Sequence, residues 1–407
     1  MAANTLSYDN VVPGVSEPPA GKVMVLGRLY QLPQDLPTYL KDIQSKIWCT
    51  YRKYFKAISG SSYTSDAGWG CTLRCGQMLL AQAIVCKQLG RDWRWSPKEN
   101  DPVYMKILSQ FLDISTSDYS LHLIALQGVD LGRPLGHWFG PNNMAQVIKK
   151  LAVHDKWNEL VVHVAMDMLV VMDDMVTECR RPHHSHDDFE YTLESSLSTP
   201  SANDHLVTMQ LHMKKNTNRS HHQECSAITS RPVLLLVPLR LGQDHFNMQY
   251  AGGLKACFDL PQSVGVIGGK PRHALWFIGY KGDQLVYLDP HTTQPMVHPQ
   301  DLNHIPDTSY HCHSPGYMKI SDIDPSIALG FICSNEKELH ELCSTLKSKV
   351  LSHTPAMFEI IKERPPFWDQ LHMDGESVSD KESFLMVEPT NSDDEGFEII
   401  EWSTSKK

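Results

Sequence analysis

The 407-residue sequence predicts an α+β fold. Two observations carry this. Helical patterning dominates early, whereas short runs rich in β-formers dominate later. Two of the later runs, 275–280 and 284–289, flank Lys281-Gly282-Asp283, which has the turn chemistry of an antiparallel hairpin.

In chain order, residues 1–20 are polar and carry Pro and Gly, which predicts a flexible arm. Residues 21–172 read as folded; Trp48, Trp69, Trp93, Trp95, Trp138 and Trp157 lie there. The composition changes at 173–231, where Arg180-Arg181-Pro182-His183-His184-Ser185-His186 leads into Ser/Thr/Asn-rich sequence. Too few apolar residues are present to offset ordering entropy, so a disordered insert is expected. Folded patterning resumes over 232–365. Val233-Leu234-Leu235-Leu236-Val237 reads as a buried strand and Phe331-Ile332-Cys333 as another. Residues 335–350 read as a helix capped by Asn335, with Leu339, Leu342, Leu346 and Val350 at helical spacing. Residues 366–407 turn polar and acidic, as expected of a tail.

Bulk properties exclude several function classes. The net charge is −10 and no long Lys/Arg run occurs, which argues against nucleic-acid binding. The N-terminus lacks a basic region and an apolar stretch, so it is not a secretory signal. No window of 18 apolar residues is present to span a membrane. Ten cysteines in a long chain without a secretion signal predict a reduced, cytoplasmic protein.

The densest chemical signal is Thr64-Ser-Asp-Ala-Gly-Trp-Gly-Cys71-Thr-Leu-Arg-Cys-Gly-Gln. Up to Gly70 it reads as a loop, and after Cys71 as a helix with Leu73, Leu80 and Ile84 on one side. A cysteine at a helix N-terminus meets free N–H groups and the positive end of the macrodipole, which favour its thiolate. A buried structural cysteine is the competing reading. Cys75, one turn further in, lacks that field and reads as core, with a redox role as the alternative. The second signal is Tyr287-Leu-Asp289-Pro-His291. Pro290 forbids a helix interior, and in an extended chain Asp289 and His291 point to one side. A carboxylate beside an imidazole fixes its tautomer and stabilises its charged form, which is what a cysteine nucleophile needs. A surface turn is the competing reading. Gly265-Val-Ile-Gly268-Gly269-Lys270-Pro271 precedes this pair and reads as a flexible loop near the site.

No metal or cofactor is expected. No Cys-x-x-Cys pair and no His-Glu-x-x-His occurs, and adjacent residues of His311-Cys312-His313 point apart in an extended chain.

These segments, with Tyr51-Arg-Lys-Tyr-Phe, Trp138-Phe-Gly-Pro-Asn and Asp324-Pro-Ser-Ile-Ala-Leu-Gly-Phe331, resemble the autophagins, the Atg4-type cysteine endopeptidases of autophagy. The resemblance covers roughly 24–172 and 232–362. It implies a papain-like fold with a small additional subdomain. It also implies cleavage of a ubiquitin-like autophagy modifier precursor after its C-terminal glycine, and release of that modifier from phosphatidylethanolamine. By motif position it implies Cys71 as nucleophile, His291 and Asp289 as base and orienter, and Tyr51 as oxyanion donor. Trp138 matches a tryptophan covering the site, and Lys270, Pro271, Arg272 and His273 match a mobile regulatory loop. The expected partners are the modifiers, free and lipid-conjugated, with peripheral contact to autophagic membranes; the enzyme is expected to be a monomer. Phe397, Glu398, Ile399 and Ile400, preceded by acids, resemble an aromatic-x-x-aliphatic motif for binding such modifiers by strand addition. Tyr8 and Val11 carry the same pattern near the N-terminus.

Overall fold

The N-terminal hairpin, β1 (Gly21–Val25) and β2 (Arg28–Leu32), forms because Val23, Val25, Tyr30 and Leu32 alternate inward. The computed structural model describes residues 20–97, 99–180, 189–192, 212–215, 230–299, 301–302 and 304–364. After α1 (Leu36–Gln44) and the short β3 (Arg52–Lys53), helices dominate: α2 (Cys71–Gln88), α3 (Pro102–Ser109), α4 (Leu121–Asp130) and α5 (Pro141–Ala152). Asp101 and Ser120 start α3 and α4 by accepting backbone N–H groups of the first turn. Next come β4 (Val161–Val164), β5 (Leu169–Val171), α6 (Met172–Arg180) and the antiparallel pair β6 (Phe189–Thr192) and β7 (His212–Lys215). The remaining elements are β8 (Val233–Arg240), α7 (Ala251–Asp259), β9 (Ser263–Lys270), β10 (His273–Lys281), β11 (Gln284–Leu288), β12 (Gln294–Pro295), β13 (Gly316–Lys319), β14 (Ser326–Cys333), α8 (Glu336–Thr345) and β15 (Glu359–Ile361).

The main sheet runs β13-β11-β10-β9-β14-β8-β4, with β1 joined to β10 and β2 to β1. Within that sheet the β4–β8 pairing is parallel and the others are antiparallel. The predicted hairpin is β10–β11, closed by Lys281 opposite Gln284. Val233–Val237 is the buried start of β8, and Asn335 caps α8 by accepting the Glu338 N–H at 3.0 Å. The helix predicted over 335–350 regular-winds only to Thr345, then widens into a π turn over Leu346–Val350.

Helix α2 is the centre of the molecule. It packs on β9, β10 and β14 and is flanked by α3, α4 and α5, so every residue from Cys71 to Val85 is buried. A helix buried all round must also bury its polar side chains. Arg74 does so by donating to Asp66 at 2.8 and 3.0 Å, to Asp113 at 2.7 Å and to Gln77 at 3.1 Å. Gln77 donates in turn to the Tyr119 carbonyl at 2.8 Å.

Two expectations are corrected. The glycine-rich run 265–271 is mostly strand β9, not a loop; only Pro271 belongs to a turn. Its glycines fit bulky neighbours: a Cβ on Gly265 would lie 2.5 Å from Trp276 Nε1, and one on Gly268 would lie 2.9 Å from the Phe277 ring. The insert also begins later than 173, because Met175, Val176 and Cys179 form a buried stripe on α6 beside Asp173, Asp174 and Glu178. Met172–Arg180 is therefore helix that packs on β4 and α8. Strands β6 and β7 likewise place regular backbone inside 173–231, and the rest of that insert lies outside the described residues.

The buried ion cluster generates a stability prediction. Arg74→Ala leaves Asp66 and Asp113 buried without their cation and is expected to destabilise the fold by about 3–5 kcal/mol. Urea titration of wild type and variant checks this; an unchanged midpoint would show that the cluster contributes little.

Candidate active site

Gly70 ends the loop and Cys71 is the first residue of α2. The loop is tightened by Asp66, whose backbone carbonyl accepts the N–H groups of Trp69 and Gly70 at 3.1 and 2.9 Å. Glycine is required at 70 because a Cβ there would lie 2.3 Å from Asp66 Oδ2. The Cys71 side chain thus begins at the positive end of an 18-residue helix.

The segment after β11 supplies the other half. Asp289 Oδ1 accepts His291 Nδ1–H at 2.6 Å and the His291 backbone N–H at 2.9 Å. Trp48 Nε1 donates to the Asp289 carbonyl at 2.8 Å and anchors the turn. The alternation read from Asp-Pro-His is therefore present, and the carboxylate fixes the ring. Tyr51 is tied to this same turn: its N–H donates to the Pro290 carbonyl at 2.8 Å, and its carbonyl accepts the Gln294 N–H at 2.9 Å. β3 continues that contact as a parallel pairing with β12. The Tyr51 ring then stands edge-on to His291, centroids 5.3 Å apart.

Electrostatics follow from this packing. Burial alone would raise the Cys71 pKa; its polar contacts with His291, the Ala274 backbone and Tyr51 outweigh that and hold it below the ordinary 9.0. Burial alone would lower His291; its bond to Asp289 and the facing Cys71 sulfur outweigh that and push it up to about 9. Asp289 is held below the ordinary carboxylate value, because its bonds to His291 overcome burial. Burial raises Tyr51, which keeps its phenolic proton as a donor. His291 Nε2 is buried and closes no hydrogen bond in this conformation. Such bonds commonly tighten only with substrate present. Together these groups can hold a thiolate–imidazolium pair, which is a nucleophile beside an acid.

The other expected residues fall in different places. Lys270, Pro271, Arg272 and His273 form the tip of the β9–β10 hairpin, with Lys270 opposite His273. The His273 ring stacks on His291, centroids 3.6 Å apart and planes 6° from parallel. Trp138 lies in the loop between α4 and α5 and is 40 % exposed. Cys75 is fully buried, and burial drives its pKa well above 9.0, which opposes reactivity. His311 is a packing residue: it stacks on Trp95 at 3.6 Å, and its Nδ1 bonds the Gln44 carbonyl at 2.7 Å. His273, Asp289 and His291 bring one ligand atom each within 4.8 Å of one another. Two parallel stacked rings, however, direct their lone pairs along separate planes, which does not suit a tetrahedral ion. Phe397, Glu398, Ile399, Ile400, Tyr8 and Val11 lie outside the described residues.

Sequence reading missed Asp66, which holds both Arg52 and Arg74, and the Ala274 backbone beside Cys71. Neither had a signal: the first depends on a turn closing on itself, the second on a strand passing the helix end.

The ion pair predicts a pH dependence. The imidazolium, raised to about 9, persists as pH rises until that value, while the lowered thiol ionises below its ordinary 9.0. Alkylation of Cys71 by iodoacetamide is expected to be fast near neutral pH, and catalysis is expected to fall as pH rises through about 9. His291→Ala removes the main stabiliser of the thiolate, so the alkylation midpoint is expected to move up. A midpoint that stays in place would disprove the pairing.

Residues 36–345 match the peptidase C54 catalytic domain. The chain is 45 % identical over 349 residues to the cysteine protease ATG4A of Xenopus laevis, covering 85 % of this chain and 83 % of that protein. It is 42 % identical to the cysteine protease ATG4B of Xenopus laevis, covering 98 % of this chain and all of that protein. It is also 42 % identical to human ATG4A over 85 % of this chain and 83 % of that protein. With its papain-like α+β fold, this chain belongs to the peptidase C54 family and is a cysteine protease.

Proposed function

We propose that the protein cleaves the precursor of a ubiquitin-like autophagy modifier after its C-terminal glycine, and releases the same modifier from phosphatidylethanolamine. The observation that carries this is Cys71 at the start of α2, facing a His291 that Asp289 orients at 2.6 Å. Both reactions are acyl transfers at one glycine carbonyl, so one site serves both.

In the proposed mechanism the Cys71 thiolate attacks the glycine carbonyl carbon and the C=O electrons move to oxygen. The Tyr51 hydroxyl and N–H groups at the start of α2 donate to that oxyanion, each such donor contributing on the order of 3 kcal/mol. The oxyanion collapses and the C–N bond breaks. His291 gives its proton to the departing amine, which is a peptide N-terminus in one reaction and the lipid ethanolamine nitrogen in the other. Water then attacks the thioester while His291 takes its proton. The modifier leaves with a free glycine carboxylate, and Cys71 returns as thiolate. No step calls for a cofactor.

Trp138, exposed on its loop, is proposed to narrow the cleft so that only glycine fits before the scissile bond. The Phe397–Ile400 and Tyr8–Val11 segments are proposed to bind modifier away from the cleft by strand addition. The enzyme is proposed to work as a cytoplasmic monomer that meets membranes peripherally. No helix among the described residues is long and apolar enough to cross a bilayer.

A gel assay on purified modifier precursor tests the reading. Wild type is expected to cut after the glycine, and Cys71→Ala to bind without cutting, a loss of at least ~10³-fold. Full activity in Cys71→Ala would refute the proposal, and amine incorporation exceeding hydrolysis would point to a transferase instead. Trp138→Ala is expected to narrow the preference for glycine over alanine at the cleavage site by roughly tenfold. An unchanged ratio would remove Trp138 from specificity.

A further inference from the structure

Two loops touch at Tyr63. One runs from β3 to Cys71; the other joins α4 to α5 and carries Trp138. The second loop is fixed just after Trp138, because Phe139 is buried against Gly128 of α4, where a Cβ would overlap the Phe139 ring. The Gly140 N–H then donates to Asn143 Oδ1 at 3.3 Å and α5 begins. Just before Trp138, the His137 N–H donates to the Pro134 carbonyl at 3.2 Å, a bond internal to the loop.

Tyr63 reaches this turn from the loop before Cys71. Its phenol lies on the backbone of Gly136, where a Cβ would overlap Tyr63 Oη and Cζ. Gly136 also has φ +80°, so both space and conformation require glycine there. The Tyr63 ring meets Trp69 as well, centroids 5.5 Å apart with planes at 55°. Trp69 is buried; its Nε1 donates to the Ser65 carbonyl and its N–H to the Asp66 carbonyl, both at 3.1 Å. The Tyr63 backbone is held in turn: its carbonyl accepts the Ile58 N–H at 3.1 Å, and its N–H donates to Ser61 Oγ at 3.2 Å. One ring thus joins two short stretches. Trp69 stands two positions before Cys71, and Gly136 two positions before Trp138.

We propose that Tyr63 is a buttress that sets where Trp138 stands relative to Cys71, and that it thereby sharpens the selection of glycine before the scissile bond, resting on the reading of Trp138 given above. Tyr63 is a positioning residue, not a catalytic one, because it acts through Gly136 and Trp138. Rejecting a single methyl group needs a wall placed to within a fraction of that group's size. An exposed loop moves by more than that unless something rigid carries it. An aromatic ring has few torsions to lose and a broad face, and here it is braced on the buried Trp69. Cutting the ring away lets the Gly136 turn relax and Trp138 back off, and alanine then fits where glycine alone did.

The test uses the full-length chain as wild type, Tyr63→Ala, Tyr63→Phe, Trp138→Ala and the Tyr63→Ala/Trp138→Ala double variant. It measures kcat/KM on modifier precursors carrying glycine or alanine before the scissile bond, and the rate of Cys71 alkylation by iodoacetamide. Tyr63→Ala is expected to narrow the preference for glycine over alanine roughly fivefold, mainly because alanine is cut faster. Tyr63→Phe keeps the ring on Gly136 and Trp69 and is expected to stay within about twofold of the wild-type preference. The double variant is expected to match Trp138→Ala alone, since Tyr63 then has nothing left to position. If Trp138→Ala narrows the preference and Tyr63→Ala does not, the buttress is wrong and the reading of Trp138 stands. A Tyr63→Ala variant that slows both precursors and alkylation alike, with the preference unchanged, shows a merely structural role and also overturns the buttress. So does a double variant whose loss is the product of the two single losses. If Trp138→Ala leaves the preference unchanged, the reading of Trp138 falls and the buttress with it.

Discussion

The carboxylate of Asp66 is the constraint on which the site depends. One oxygen accepts the Arg52 backbone N–H at 2.7 Å, which places the strand after Tyr51. Both oxygens accept from Arg74, which lies one turn into α2 and carries Asp113 on its other side. The Asp66 backbone carbonyl closes the turn that delivers Cys71 to the helix start. One residue therefore registers β3, the loop before Cys71 and helix α2 against each other. Its burial makes that registration stiff, since any rearrangement would leave charge unpaired in a low-dielectric interior.

A second constraint is electrostatic. Cys71 is buried and His291 is partly buried, and burial by itself favours a neutral thiol and a neutral imidazole. The fold reverses this locally by bonding Asp289 to Nδ1 of the ring and turning the Cys71 sulfur toward that ring, with Tyr51 and the Ala274 backbone supporting the sulfur. The contrast with Cys75 is instructive. It lies one turn along the same helix, fully buried, without those partners, and its pKa rises well above 9.0. The pKa values of two cysteines of one helix thus shift in opposite directions, because one meets the helix end and the His291 turn while the other meets only core.

The same burial that shapes the ion pair leaves Cys71 1 % exposed. The sheet beside it is held by the pairing of β9 with both β10 and β14.

Much of this was written locally in the chain. The loop–helix junction at Cys71, the extended Asp289-Pro290-His291 unit, the Lys281-Gly282-Asp283 turn and the Asn335 cap each depend on residues within a few positions of one another. Propensity and period report such features directly. The glycine run of β9 and the buried stripe of α6 misled for a complementary reason. Glycine reads as loop unless the Trp276 and Phe277 rings that need its space are known, and charges flanking Met175 and Val176 conceal a narrow apolar face. What only the tertiary structure decided are the contacts between distant segments: Asp66 with Arg52 and Arg74, Tyr51 with the Pro290 turn, and the His273 ring on His291. Sequence alone determined which groups could do chemistry and on what kind of backbone they sit. Packing decided which of them meet and what charge each carries, because burial and neighbouring charges are properties of the assembled interior and not of any local stretch of chain.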